Sequence, residues 1–143
     1  MAEIFTTRGV NELRERAPHC KRILLVDGDS QDLRLYTSML RDQGHLVDAC
    51  TTYLEGAERL EQGWYDLILL AQGGQSFEGQ FLLERAIELD RRRPVLILTR
   101  SVDIRSYLDV MYLGARDYME KPPVPWEIIK TVSDCLRYRV AGA

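Results

Sequence analysis

The chain of 143 residues is poor in the residue types that staple small folds or bind metals. Its three cysteines, Cys20, Cys50 and Cys135, are odd in number and widely spaced, with no C-x-x-C pair. That pattern fits neither a disulfide scaffold nor a zinc site. Two histidines, His19 and His45, are too few for a metal cluster, so no cofactor or metal is expected. No apolar run approaches the ~20 residues of a membrane helix. The first residues lack a basic stretch followed by an apolar one, so no export leader is expected either. An excess of one charge is also missing: 19 Lys and Arg stand against 22 Asp and Glu, a net −3. Bulk charge therefore gives no reason to expect nucleic acid or a membrane as partner. The one basic run, Arg91-Arg92-Arg93, reads as a solvated helix end, where cations are favoured. What remains is a reduced, cytoplasmic protein with one ordinary core, drawn from a hydrophobic content of 45%.

What is present is a regular alternation. Residues 1–20 stand apart as a polar extension, in which Asn11 to Arg16 reads as a short helical arm or a plain tail. Residues 21–143 read as one domain. Ile23-Leu24-Leu25-Val26 is a continuous apolar run, as expected of a strand buried on both faces. Ser30 is expected to cap a helix carrying Leu33, Tyr36, Met39 and Leu40, which Gly44 ends. Leu46 to Ala49 is a weaker strand. Thr52 to Glu55 has capping-box spacing and opens a helix with Leu54, Ala57 and Leu60 as its stripe. Leu67 to Leu70 is a third strand, followed by a loop with three glycines and a helix through Phe81, Leu82, Ala86, Ile87 and Leu89. Val95 to Leu98 is a fourth. Ile104, Leu108 and Met111 lie at helical spacing on the next helix, ended by Gly114. Asp117-Tyr118-Met119 is a short fifth strand, and Pro125 opens a last helix with Ile129, Val132 and Leu136 on one face.

Five alternations of strand and helix imply a parallel sheet with helices on both faces. Right-handed crossovers then gather the loops after the strands at one end of the sheet, where functional sites of such folds lie. The residues there are Asp27-Gly28-Asp29, Ala71 with Gln72 to Gln75, Thr99-Arg100-Ser101, and Glu120-Lys121 with two prolines after them.

In order and spacing, four stretches resemble the response-regulator receiver domain. They are Ile23 to Ser30, Asp66 to Gly79, Pro94 to Thr99, and Gly114 to Pro122. Together the match spans roughly residues 21–140. The resemblance implies a flavodoxin-like, doubly wound (βα)5 sandwich with a five-stranded parallel sheet in order 2-1-3-4-5. It also implies phosphoryl transfer from a histidine kinase to an aspartate with the help of Mg²⁺, and no enzyme activity beyond that exchange. Asp27 matches the first acidic position, and Gly28 stands where the second acid, a metal ligand, is usual. Asp29 matches the third position of the turn. Ala71 occupies the phosphoacceptor position. Thr99 matches the hydroxyl that turns toward a phosphoryl group, Lys121 the family's lysine, and Tyr118 the aromatic that swings on activation. The family pattern also implies a cis Lys121–Pro122 bond.

Two departures set the expected function. Alanine carries no nucleophile, so no acyl phosphate can form at Ala71. Mg²⁺ relies on carboxylate and phosphate oxygens, and Gly28 and Ala71 remove two of them. The chain is therefore expected to be a degenerate receiver that signals by protein contact, with a histidine kinase or an output protein as partner. Lys121 is expected to pair with Asp27 in place of the lost metal, and Thr99 to be a satisfied strand-end hydroxyl. The loop Gln72 to Gln75 is expected to be flexible. Two other readings stay open: phosphorylation of an offset aspartate, Asp29 or Asp27, and a small-ligand sensor using the glycine-rich loop. Tyr107, Tyr112, Tyr118, Trp126 and Tyr138 mark either an interaction face, including a homodimer through the fourth helix, fifth strand and last helix, or padding of the core.

Overall fold

Five strands and five helices alternate in the computed structural model, which describes residues 20–74, 77–121 and 124–137. The short helix expected before Pro18, the Lys121–Pro122 bond and Tyr138 lie outside these residues. The strands are β1 (Arg22–Val26), β2 (Leu46–Cys50), β3 (Leu67–Ala71), β4 (Val95–Thr99) and β5 (Asp117–Glu120). The helices are α1 (Ser30–Asp42), α2 (Tyr53–Gln62), α3 (Gln80–Leu89), α4 (Ile104–Tyr112) and α5 (Pro125–Arg137). All strand pairs are parallel and the sheet order is β2-β1-β3-β4-β5. The expected order is the observed one.

The apolar runs become central strands because both of their faces are covered. β1, β3 and β4 are buried along their whole length. Alternate residues point to opposite sides. Leu24, Val26, Ile68, Leu70 and Ile97 pack with Leu60, Leu82, Leu83, Ala86 and Val110 of α2, α3 and α4. Ile23, Leu25, Leu67, Leu69, Leu96 and Leu98 pack with Leu33, Tyr36, Leu40, Ile128, Val132 and Cys135 of α1 and α5. The three cysteines are free and buried.

Several helix faces differ from the sequence expectation. Ser30 is not the cap of α1; Asp29 is, its carboxylate accepting from the N–H groups of Gln31 and Asp32. Thr52 does cap α2, accepting from the Glu55 N–H at 3.1 Å. Leu54, however, is exposed, and Gly56 faces the sheet instead, where a side chain would strike Val26 and Leu82. Phe81 and Leu89 are 49% and 42% exposed, and Leu83 joins Leu82 and Ala86 in the core. On α4, Ile104 and Leu108 of the expected stripe face solvent, 70% and 58% exposed, while Met111 is half-buried and packs with Val110 toward the sheet. On α5 the fully buried row is Ile128, Val132 and Cys135, with Ile129 and Leu136 half-buried beside it. Helical spacing reveals that a stripe exists. It does not say which of two apolar stripes meets the sheet.

Gly44 and Gly114 end α1 and α4 with φ of +89° and +110°, a region that costs other residues strain. Gly56 is required for a different reason: a Cβ there would lie 2.7 Å from Val26 Cγ2. Gly56→Val is expected to cost about 1–3 kcal/mol by overpacking the α2–β1 contact, read as a lower urea midpoint.

Candidate functional site

Parallel register sets the site. Val26 pairs with Leu70, Ala71 with Leu98, and Thr99 with Glu120, so the strands end at one level. The residues immediately after them meet across the sheet edge.

Asp27 lies 2% exposed at the end of β1. Its Oδ1 accepts from the Asp29 N–H at 2.9 Å, and its Oδ2 from the Lys121 ammonium at 2.6 Å. Lys121 also reaches Asp32 Oδ2 at 3.1 Å. Arg100, just after β4, spans to Asp29 Oδ2 and Asp32 Oδ2, both at 2.6 Å. Three carboxylates and two cations thus form one connected network. Asp29 caps α1 in the same arrangement, and the Asp32 N–H, aided by Arg100 and Gln31, holds its carboxyl below the usual value. Beneath the network Tyr36 is fully buried, with its hydroxyl unpartnered. Burial first, then the charges of Asp32 and Asp27, push that phenol up to about 12.

Ala71 closes the floor of a 220 Å³ cleft with Asp27, Gly28, Leu98 and Lys121. Tyr53 and Glu78 form its far wall. The Tyr53 hydroxyl donates to the Ala71 carbonyl at 2.8 Å. Gly28 has room for a side chain, since a Cβ would meet only the Thr51 carbonyl at 3.6 Å. Thr99 does not face this cleft. Its hydroxyl donates to the Ser101 carbonyl at 3.1 Å and accepts from the Ser101 N–H at 3.2 Å. Such a self-contained turn is the satisfied strand-end hydroxyl that the sequence suggested.

The donor set does not suit Mg²⁺. Asp27 is committed to Lys121, Gly28 and Ala71 offer no oxygen from a side chain, and Asp29 is committed to Arg100 and the helix cap. Among the described residues no group of three His, Cys, Asp or Glu side chains is placed to hold a metal. A hard divalent ion would have to displace a buried ammonium to gain one carboxylate.

Gln72 departs from the expectation of a flexible loop. It is 4% exposed and accepts from the Tyr118 hydroxyl at 3.0 Å, while the same hydroxyl lies 3.4 Å from the Ser101 carbonyl. One phenol therefore joins β5 to the loops after β3 and β4. The Tyr118 ring, half-buried, meets Tyr107 edge-on at 5.9 Å. Tyr112 and Trp126 are 91% and 63% exposed. Val102, Ile104, Leu108 and Val124 are exposed as well, and Ile104, Leu108 and Tyr112 share one face of α4 at four-residue spacing. Sequence reasoning missed Asp32 and Tyr53, and it placed Arg100 at the site's edge without giving it a role. Asp32 had a signal, as an acid in the first turn of α1 three residues after Asp29. Arg100 had only its position after Thr99, and Tyr53 had none beyond starting α2.

A doubly wound parallel sheet with its polar site at the strands' carboxyl ends defines the structural class. Within it, the response regulator receiver domain family matches residues 23–133, and the chain belongs to that family. The phosphoglycerate transport system transcriptional regulatory protein PgtA of Salmonella typhimurium is 30% identical over 117 residues, 82% of this chain and 28% of that protein. The transcriptional regulatory protein BasR of Escherichia coli is 31% identical over 101 residues, 71% of this chain and 46% of its own length. The chain spans about half the length, or less, of these curated relatives. A CheY-like receiver domain from Methanospirillum hungatei JF-1 superposes with a TM-score of 0.79 at 27% identity, covering 84% of this chain and 96% of that one. Residues 23–133 are thus a receiver domain of the two-component response regulators.

The Lys121–Asp27 contact is nearly water-free, with side chains 5% and 2% exposed. Lys121→Met is expected to destabilise the fold by about 3–5 kcal/mol, because Asp27 is left charged and buried. Adding Asp27→Asn to Lys121→Met is expected to recover most of that loss, and urea denaturation of the two singles and the double measures the cycle.

Proposed function

We propose that this receiver signals by protein–protein contact without aspartyl phosphorylation, in a cytoplasmic two-component or phosphorelay pathway, and without catalysing a reaction of its own. The observation that carries this reading is Lys121 closed onto Asp27 and Asp32 beside the methyl group of Ala71. In this reading the ion network holds the pocket where a metal and phosphoryl group would otherwise hold it. An offset phosphosite is disfavoured by the commitments of Asp27 and Asp29. Each already accepts bonds at both oxygens, whereas in-line attack needs a free and tightly positioned nucleophile. A small-ligand role for this cleft is disfavoured because both of its cations are already neutralised.

The exposed face of α4 and α5 is the contact surface in this reading. Ile104, Leu108 and Tyr112 repeat at every fourth residue and present apolar area to solvent. Tyr118 ties that face to Gln72 beside Ala71, so the face keeps one arrangement without phosphate. A histidine kinase, an output protein or a second copy would dock there.

Incubation with acetyl phosphate and Mg²⁺ is expected to leave the intact mass unchanged. A stoichiometric gain of one phosphoryl group would overturn the reading. The Gly28→Asp/Ala71→Asp double variant restores both missing carboxylates and is expected to take up the phosphoryl group under the same conditions. If the face joins two copies, Leu108→Asp is expected to weaken self-association in analytical ultracentrifugation by about tenfold or more, since an apolar contact would have to bury a charge. Unchanged association in that variant would place the interface elsewhere.

A further inference from the structure

A groove between α1 and α5 lies away from Ala71, at the end of the sheet where the strands begin. This groove has a volume of 470 Å³, within the ordinary range for small-molecule sites. Its floor is aliphatic: Leu40 and Val132 are buried, and Ile129 and Leu136 are half-buried. Among the described residues its rim holds Lys21, His45 and Arg137 and no carboxylate, although the chain as a whole is net negative.

Lys21 and His45 each offer a donor. The Lys21 backbone N–H donates to His45 Nδ1 at 3.3 Å. A ring nitrogen that accepts carries no proton, so the neutral imidazole keeps its proton on Nε2 and offers it as a donor. Burial first holds His45 below its ordinary pKa, with Asp66 pulling it up and Lys21 pushing it down. The Lys21 ammonium has no ion-pair partner among the described residues. An aliphatic floor beside this ammonium and an imidazole N–H is complementary to one chemistry, an apolar tail ending in an anion.

We propose that the α1–α5 groove binds a small aliphatic carboxylate. Its tail lies along Leu40, Ile129, Val132 and Leu136, and its head group sits between the Lys21 ammonium and His45 Nε2. No aromatic side chain other than the imidazole lines the groove among the described residues, which favours a flexible aliphatic tail over a planar one. This site is independent of the cleft at Ala71 and of the contact face on α4.

Octanoate is a suitable probe, titrated into the full chain and followed by ¹H–¹⁵N NMR and calorimetry. Saturable shifts are expected at Lys21, His45 and Leu136. Octanol, which lacks the charge, and acetate, which lacks the tail, are each expected to bind about tenfold or more weakly. Lys21→Gln is expected to lower octanoate affinity by a similar factor while leaving the remaining spectrum of the free protein unchanged. Equal affinity for octanoate and octanol would overturn the proposal. So would unchanged affinity in Lys21→Gln, shifts centred on Ile104, Leu108 and Trp126, or no saturation at millimolar octanoate.

Discussion

Parallel strand register is the constraint on which the rest of this molecule depends. Hydrogen bonding in the sheet aligns Val26 with Leu70, Ala71 with Leu98 and Thr99 with Glu120. Each strand must then release its chain at the same edge. Asp27, Gln72, Arg100 and Lys121 become neighbours although up to 94 residues separate them in sequence. The same register buries both faces of β1, β3 and β4, which is why these strands read as unbroken apolar runs.

Charge at that edge is balanced within the protein. Gly28 and Ala71 offer no side-chain oxygen, and Asp27, Asp29 and Asp32 face two cations. Lys121 serves Asp27 and Asp32, and Arg100 serves Asp32 and Asp29. The inner half of this network is shielded from water, whereas the Arg100 side chain is 59% exposed. Little stability is expected from the exposed half, and the strong dependence lies with the buried pair. The network also joins the turn after β1, the first turn of α1 and the segments after β4 and β5. Tyr118 and Gln72 then join the loops after β3 and β4, so each loop at this edge is tied to another.

Much of this is legible in the order of residues. The five alternations carry the element order, because burial on both faces leaves an apolar run that polar helices interrupt. Gly44 and Gly114 mark helix ends, where positive φ is needed. Asp27, Ala71, Thr99 and Lys121 are legible as site residues, since architecture alone brings the carboxyl ends of the strands to one edge. Helix faces are less legible. Ile104 and Leu108 have the spacing of a core stripe and yet face solvent, because Val110 and Met111 turn the neighbouring face of α4 to the sheet. Leu54 gives way to Gly56 because α2 approaches β1 too closely for any side chain.

The sequence by itself determined the sheet, the order of its elements and the lack of a side-chain oxygen at positions 28 and 71, since each is carried by residue identity and local periodicity. Only the tertiary structure decided how the charged groups around them meet. Whether Lys121 met one acid or two, whether Arg100 reached α1, and whether Gln72 lay loose or beneath Tyr118 all depend on distances between segments far apart in the chain. Such contacts leave no periodic signature, because side-chain reach across a sheet edge is set by packing and not by spacing along the backbone.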